Sequence, residues 1–212
     1  VKENLTLVCN QLKLKKLINL NQIHSSKVFV VNNKDYQIHD VKADGLVTKL
    51  NDIGLSILGA DCAPILFYDN ISKVIGACHA GWRGAINGII ETTVASMENI
   101  GANRNNIISI IGPTIQKISY EIKNDLAQIV KESEFYKNNH SILFHVKQDK
   151  YLLDLPLLLK ESLKFSKINN IGDINMDTYQ KSNLFFSHRK STHENFPQKA
   201  KTGRHISVIG IY

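Results

Sequence analysis

No stretch of the 212 residues approaches the roughly 20 consecutive apolar residues that a membrane-spanning helix needs, so no membrane role is expected. Cysteine is scarce and odd in number: Cys9, Cys62 and Cys78 cannot make a disulfide framework, which points to thiols kept reduced and used for ligation, catalysis or packing. Proline occurs four times and no Gly/Ser/Pro-rich linker, repeat or low-complexity tract interrupts the chain, so a single domain over residues 1–212 is expected. The opening VKENLTLVCNQLKLKKLINL has neither the unbroken apolar run nor the cleavage site of a secretory leader. A cytoplasmic address follows as an expectation, and the absence of Met before Val1 suggests that some N-terminal sequence is missing. Arginine is also rare, four residues of the 26 basic ones, although the formal charge is +7.

The basic residues that are present are mostly scattered lysines without a clustered patch, so nucleic acid is not an expected partner. The few arginines carry more information. A guanidinium forks onto oxyanions in a way that Lys cannot, and Arg83, Arg189 and Arg204 stand beside Gly, His or Ser in turn-like segments. Arg104, in the Asn-rich GANRNN stretch, reads as surface.

Apolar periodicity predicts the framework. Leu5, Leu7, Leu12, Leu14, Leu17 and Leu20 are spaced loosely as a helix, and KVFVV reads as a strand. ADGLVT reads as a turn into a short strand. Leu55–Leu58 and Ile65–Tyr68 read as a strand that stops at Gly59 and resumes after Pro64, leaving Asp61 and Cys62 on a bend. Val74–Cys78 is the next strand. After the HAGWRG corner, Ile86, Ile89, Ile90, Val94, Met97 and Ile100 predict one helix ended by Gly101. Ile107–Ile111 is a buried strand, Asn124 or Asp125 starts a helix to about Glu134, and Asp154 caps another through Phe165. Ile174–Met176 and Ile206–Ile211 read as the last strands. Strands and helices mix without strict alternation, so the expected class is α+β: mixed β-sheets in a layered sandwich flanked by helices.

Polar residues gather where the apolar strands end. His24 follows Ile23, Cys62 lies on a bend, and His79 closes a strand. Two imidazoles and a thiolate suffice for Zn2+ and leave a coordination position open for water or substrate. The 38- and 17-residue spacings match no HExxH or paired CxxC, so on spacing alone buried, satisfied side chains are the favoured account of the same residues. A Cys62 nucleophile with His79 as its base is a further alternative. Cys78 alternates away from His79 and is expected to pack against the following helix. The HAGWRG corner exposes N–H groups at a helix start, and Arg83 stands beside them as an anion partner.

Taken in order, NQIHSSKV, ADGLVT, GADCAPILFYD, GACHAGWRGAINGII, IGPTIQKISYEI, the DLP of Asp154–Pro156, FFSHRKS and TGRHISVIGI resemble the YfiH or laccase-domain family, over about Leu14 to Tyr212. Members of that family are described as polyphenol oxidoreductases, purine nucleoside phosphorylases and peptidoglycan editing factors. The resemblance implies a zinc site of His24, Cys62 and His79, and phosphorolysis of adenosine, inosine, guanosine or methylthioadenosine with adenosine deamination as a side activity. It implies purine nucleoside and phosphate as small-molecule partners, and a monomer or weak homodimer is expected. Copper is the less favoured metal, because the eight histidines include no HxH or HxxH pair. In that chemistry Arg83 meets the anion, Gln22, Arg189 and Arg204 bind substrate, and Asp61 or Glu121 moves a proton to the purine. The chain departs from the family pattern at Ser25, where Gly is usual, and at Ile118–Glu121, where CCYE is frequent. A family N-terminal segment with an Arg and a Ser-Leu-Asn motif has no counterpart before Val1.

Overall fold

A computed structural model describes residues 2–32, 41–195 and 202–212. Helix α1 (Lys2–Gln11) takes only the first half of the leucine-rich opening, and Leu17 falls instead in strand β1 (Lys16–Ile18). β2 (Val28–Val30) and β3 (Gly45–Thr48) follow as expected. The two apolar runs flanking GADCAP form β4 (Ile53–Gly59) and β5 (Ala63–Asp69), and these belong to different sheets. β5 therefore begins one residue before Pro64 rather than after it. The ring is accommodated in this central strand because it sits at the strand's start, where the Pro64 carbonyl still accepts from Gly112 N–H at 2.8 Å.

β6 (Val74–Ala80) runs on through His79. The helix expected over Ile86–Ile100 is broken in two, α2 (Trp82–Ile86) and α3 (Ile89–Asn99). Gly88, with φ +84°, turns the chain through the left-handed region between them, which lets the two helices take separate directions while Ile89 and Ile90 stay buried. β7 (Ile107–Ile111) and β8 (Glu121–Lys123) come next. The helix expected to reach Glu134 stops as α4 (Asn124–Glu132), because the Ser133 hydroxyl caps a new helix, α5 (Glu134–Asn138), by accepting from Tyr136 N–H at 3.3 Å. β9 (Leu143–Lys147), β10 (Lys150–Leu153) and α6 (Leu155–Phe165) follow, and the Asp154 carboxylate caps α6 by accepting from Leu157 N–H at 3.0 Å.

β11 is Asn170–Asp173, upstream of the expected Ile174–Met176. That later segment turns out of the sheet at Asn175, with φ +53°, and leaves Ile174 and Met176 exposed. His188–Asn195 forms a helix, α7, where the sequence suggested loop, and β12 (His205–Gly210) closes the fold.

The layering explains why so many strand residues are apolar on both faces. A six-stranded mixed sheet runs in the order β11-β7-β5-β6-β3-β2, and a smaller sheet, β1-β4-β12, covers one face of it. Helices α3 and α6 cover the other. Along β6, Ile75 and Ala77 point into the cluster shared with the small sheet, whereas Val74, Cys78 and Ala80 point into the cluster shared with the helices. Cys78 is thus packed on the helix side, as its alternation with His79 implies. A third sheet, β8-β10-β9, stands at one side. Among the described residues no helix is long and apolar enough to cross a membrane.

Gly88→Ala forces a Cβ into the left-handed region, so the variant is expected to lose about 1 kcal/mol of folding stability in urea titration. An unchanged midpoint would show that the α2–α3 break does not depend on that conformation.

Candidate functional site

Three chain segments reach one spot at the end of the sandwich. The loop after β1 brings His24, the bend between β4 and β5 brings Cys62, and the last turn of β6 brings His79. Cys62 Sγ lies 3.9 Å from His24 Nε2, the two imidazole rings meet edge to face at 4.8 Å, and one donor atom from each residue lies within 4.8 Å of the others. Gly81 makes room for this approach: a Cβ there would stand 2.6 Å from the Cys62 sulfur. Gln22 pins the His24 loop to the sheet by a two-way amide clamp on Leu58, donating to its carbonyl at 2.7 Å and accepting from its N–H at 2.8 Å.

The centre of the arrangement is Asp44, a fully buried carboxylate that the sequence reading left inside the ADGLVT turn. It accepts from the backbone N–H groups of Ile23, His24 and Ser25 at 3.2, 2.9 and 2.6 Å and from the Ser25 hydroxyl at 2.8 Å. His79 Nδ1–H donates to the same carboxylate at 3.0 Å. Two consequences follow. His24 is held at φ +59°, a left-handed conformation that costs a non-glycine residue about 1 kcal/mol, by donors converging on one anion. His79 has its Nδ1 occupied, so its Nε2 is the nitrogen left for a metal.

Charge is distributed accordingly. Burial opposes ionisation of Asp44, yet hydrogen bonds from His79, Ser25 and His24 hold its pKa at about 2. Burial likewise works against the Cys62 thiolate and the His79 cation, but their hydrogen bonds to each other and to His24 and Asp44 bring Cys62 down to about 7 and His79 up to about 9. The metal-free site between those values is a thiolate beside an imidazolium. Two imidazoles and a thiolate brought together beside a cleft are a donor set that could hold a metal ion such as zinc, with fewer than four protein ligands.

These residues line one end of a cleft of about 590 Å³. Leu20, Leu58, Ile115 and Leu155 give it apolar walls, and Tyr120, His188, Arg189 and Arg204 line the same cleft. Arg189 is held at three points: its N–H donates to Asp61 Oδ2 at 2.7 Å, its Nη1 to the Glu121 carbonyl at 2.5 Å, and its guanidinium lies over the Tyr120 ring at 5.2 Å. Asp61, at φ +92°, also accepts from the Thr178 hydroxyl at 2.7 Å. Arg204 donates to its own loop carbonyls at Thr202 and Gly203 and lines the same space.

The structure thus brings together Gln22, His24, Asp61, Cys62, His79, Arg189 and Arg204. It does not bring Arg83 or Glu121 to the cleft. Arg83 is exposed on α2 with its guanidinium over the Trp82 ring at 5.0 Å, because the tight turn after His79 points the first helical residues outward. Glu121 lies on β8 with its carboxylate turned to Lys150 Nζ at 2.7 Å, since strand alternation sends Glu121 and its neighbours to opposite faces. Asp44 and Tyr120 are the residues that sequence reasoning missed. The signal for Asp44 was an acid set between small residues immediately before an apolar strand.

The fold and this cleft define a class: an α+β sandwich in which, among the described residues, one His/Cys cluster that could hold a metal lines a cleft. The chain belongs to the multi-copper polyphenol oxidoreductase laccase family, whose model matches residues 1–212. It is 33% identical over 203 residues to "Purine nucleoside phosphorylase RP494" of Rickettsia prowazekii, covering 93% of this chain and 80% of that one. It is 28% identical to "Purine nucleoside phosphorylase YlmD" of Bacillus subtilis, over 90% of this chain and 69% of the relative. The crystal structure of Bacillus licheniformis hypothetical protein YfiH superposes with a TM-score of 0.87 at 26% identity, covering 99% of this chain and 80% of that chain.

Replacing Asp44 by Asn removes the anion that orients His79 and the His24 loop. Zinc affinity measured by chelator competition is expected to fall about 10- to 100-fold, and equal affinity would remove Asp44 from this role. In metal-free protein, the iodoacetamide reaction of Cys62 followed by peptide mass spectrometry is expected to reach half its plateau near pH 7, because the depressed thiol is half ionised there. Cys78, buried and pushed far up, is expected to stay unreacted, and a Cys62 midpoint at the ordinary value near 9 contradicts the electrostatic account.

Proposed function

We propose that this chain is a zinc-dependent purine nucleoside phosphorylase acting on adenosine, inosine, guanosine or methylthioadenosine, with adenosine deamination as a side activity. The observation that carries the proposal is a single cleft lined both by the His24–Cys62–His79 cluster and by two arginines, Arg189 and Arg204. The names of the relatives, purine nucleoside phosphorylases, support the same substrate class.

Phosphorolysis asks the site to hold phosphate against the ribose C1′ while the base departs. Arg189, with its main chain, one Nη and ring face already fixed, keeps its remaining N–H groups in a set direction, which favours recognition of phosphate oxygens without reorganisation during reaction. Arg204 offers a second guanidinium from the neighbouring wall. Apolar side chains of Leu20, Leu58, Ile115 and Leu155 suit the faces of the purine and ribose and exclude water from the reacting centre. When bound by His24, Cys62 and His79, zinc would supply Lewis-acid stabilisation of negative charge. Asp61 has both carboxylate oxygens engaged by hydrogen-bond donors, so it acts as an acceptor that positions Arg189 rather than as a source of protons. Glu121 and Arg83, outside the cleft, take no part in this mechanism.

One observation favours a second reading. The metal-free Cys62 thiolate beside the His79 imidazolium is also the pair of a Cys/His amidohydrolase, the chemistry that peptidoglycan editing would need. A multi-copper oxidase needs several copper centres, whereas the described residues contain one His/Cys cluster.

Incubation of the purified, zinc-analysed protein with adenosine and phosphate, resolving adenine, inosine and ribose 1-phosphate, tests the proposal. Cys62→Ala is expected to lose bound zinc and nucleoside turnover together, and full turnover by that variant contradicts the assignment. Inactivation by a thiol electrophile with zinc still bound points to the amidohydrolase instead.

A further inference from the structure

A phosphorylase must also deal with the charge of its leaving group. The phosphate oxygen forms a bond to C1′ as the C1′–N9 bond breaks, and the electron pair of that bond passes to the purine. The base leaves with negative charge spread over its ring nitrogens and takes its proton from water or from phosphate. A hydrogen-bond donor placed in the cleft and aimed at that charge lowers the barrier. Asp61 cannot serve, because its oxygens are acceptors already in use. The arginines face phosphate.

Tyr120 has the properties required. It sits after the 3-10 turn Lys117–Ser119, with its backbone fixed on both sides: its N–H donates to the Lys117 carbonyl at 3.1 Å and its carbonyl accepts from Leu153 N–H at 3.0 Å. Its ring forms part of the cleft wall, and the Arg189 guanidinium over the ring face keeps it from tilting. Its hydroxyl has no hydrogen-bond partner among the described residues, and it is not one of the polar atoms sealed inside the protein, so it opens to the cleft. A tyrosine hydroxyl left without a partner in the cleft wall is a donor in waiting. Burial, and after it the negative charge of Cys62, pushes this phenol well above its ordinary range, so it stays a neutral O–H rather than a phenolate.

We propose that Tyr120 is a catalytic residue whose hydroxyl donates a hydrogen bond to the departing purine, strengthening as negative charge collects on the base. The assignment rests on the phosphorylase reading above and adds the group that stabilises its leaving base.

Tyr120→Phe removes the hydroxyl while keeping the ring on which Arg189 rests. The test compares wild type and variant on inosine and on 7-methylinosine with inorganic phosphate. At a pH low enough to keep N1 protonated, the methylated base is cationic in the nucleoside and departs as a neutral molecule, so it has no anionic charge to stabilise. The expected result is a kcat lower by about 10- to 100-fold on inosine, a loss under about threefold on 7-methylinosine, and an unchanged KM for phosphate. Thermal unfolding is expected to be the same for both proteins, because the hydroxyl makes no contact in the fold; a lowered Tm would assign it a structural role and overturn the proposal. Equal losses on the two nucleosides, or none on either, overturn the Tyr120 assignment and leave the phosphorylase reading intact. If wild-type protein makes ribose 1-phosphate from neither nucleoside, the phosphorylase reading falls and this assignment falls with it.

Discussion

The site depends on one buried negative charge. An isolated carboxylate transferred from water to a protein interior is prohibitively unfavourable, so Asp44, with no exposed surface, persists as an anion only because donors surround it. Three consecutive backbone N–H groups, a hydroxyl and an imidazole N–H supply that compensation. The same five interactions build the metal-binding end. They curl the Ile23–Ser25 loop around the carboxylate, which places His24, and they select the tautomer and orientation of His79. The His79 backbone N–H also donates to the Asp44 carbonyl at 2.7 Å, so the two residues are tied through main chain and side chain at once.

The layering puts that anion where it can act. Because the central sheet is covered by a smaller sheet on one face and by helices on the other, its strands are largely apolar, and Asp44, Cys62 and His79 lie where strands begin or end. Asp44 precedes β3 and His79 lies near the end of β6, and these two strands pair antiparallel with Gly45 opposite Cys78. Pairing therefore brings an acid from one strand's entrance beside a histidine at the other's exit. Strand alternation then separates the two neighbouring residues with reactive side chains: Cys78 goes inward to the helices beside Thr93, and His79 goes to the cleft.

Much of this was legible in the residues, and the parts that were not have physical reasons. Strands of continuous apolar residues and the caps of helices show in sequence because they depend on local pattern, as at Ile107–Ile111 and at Asp154 before α6. The His24, Cys62 and His79 cluster showed only as polar residues at strand ends, and its spacing alone did not separate ligands from buried hydrophobes. The helix break at Gly88 was hidden because a 3.6-residue apolar repeat continues across it. Asp44 was hidden because its importance lies in hydrogen bonds to residues some 20 and 35 positions away, which no local pattern encodes. The outward placement of Arg83 and Glu121 was hidden for a related reason: a motif gives residue order, whereas the direction of a side chain comes from the backbone that carries it.

The two ends of the cleft are joined through a single bend. Cys62 belongs to the metal end, and its neighbour Asp61 reaches the opposite wall, accepting from the α7 backbone at Arg189 and from Thr178. The Asp61 carbonyl in turn accepts from Ile115 N–H at 3.0 Å and from the Thr114 hydroxyl. A non-glycine residue at φ +92° is unfavourable on its own, and it persists here because hydrogen bonds to three separate segments define its position. The geometry follows from that conformation: with extended backbone, Asp61 and Cys62 would point to opposite faces, whereas the left-handed turn sends the sulfur toward His24 and the carboxylate toward Arg189. The sulfur and the Arg189 backbone are therefore tied through one turn, and the guanidinium is placed from there by the Glu121 carbonyl and the Tyr120 ring.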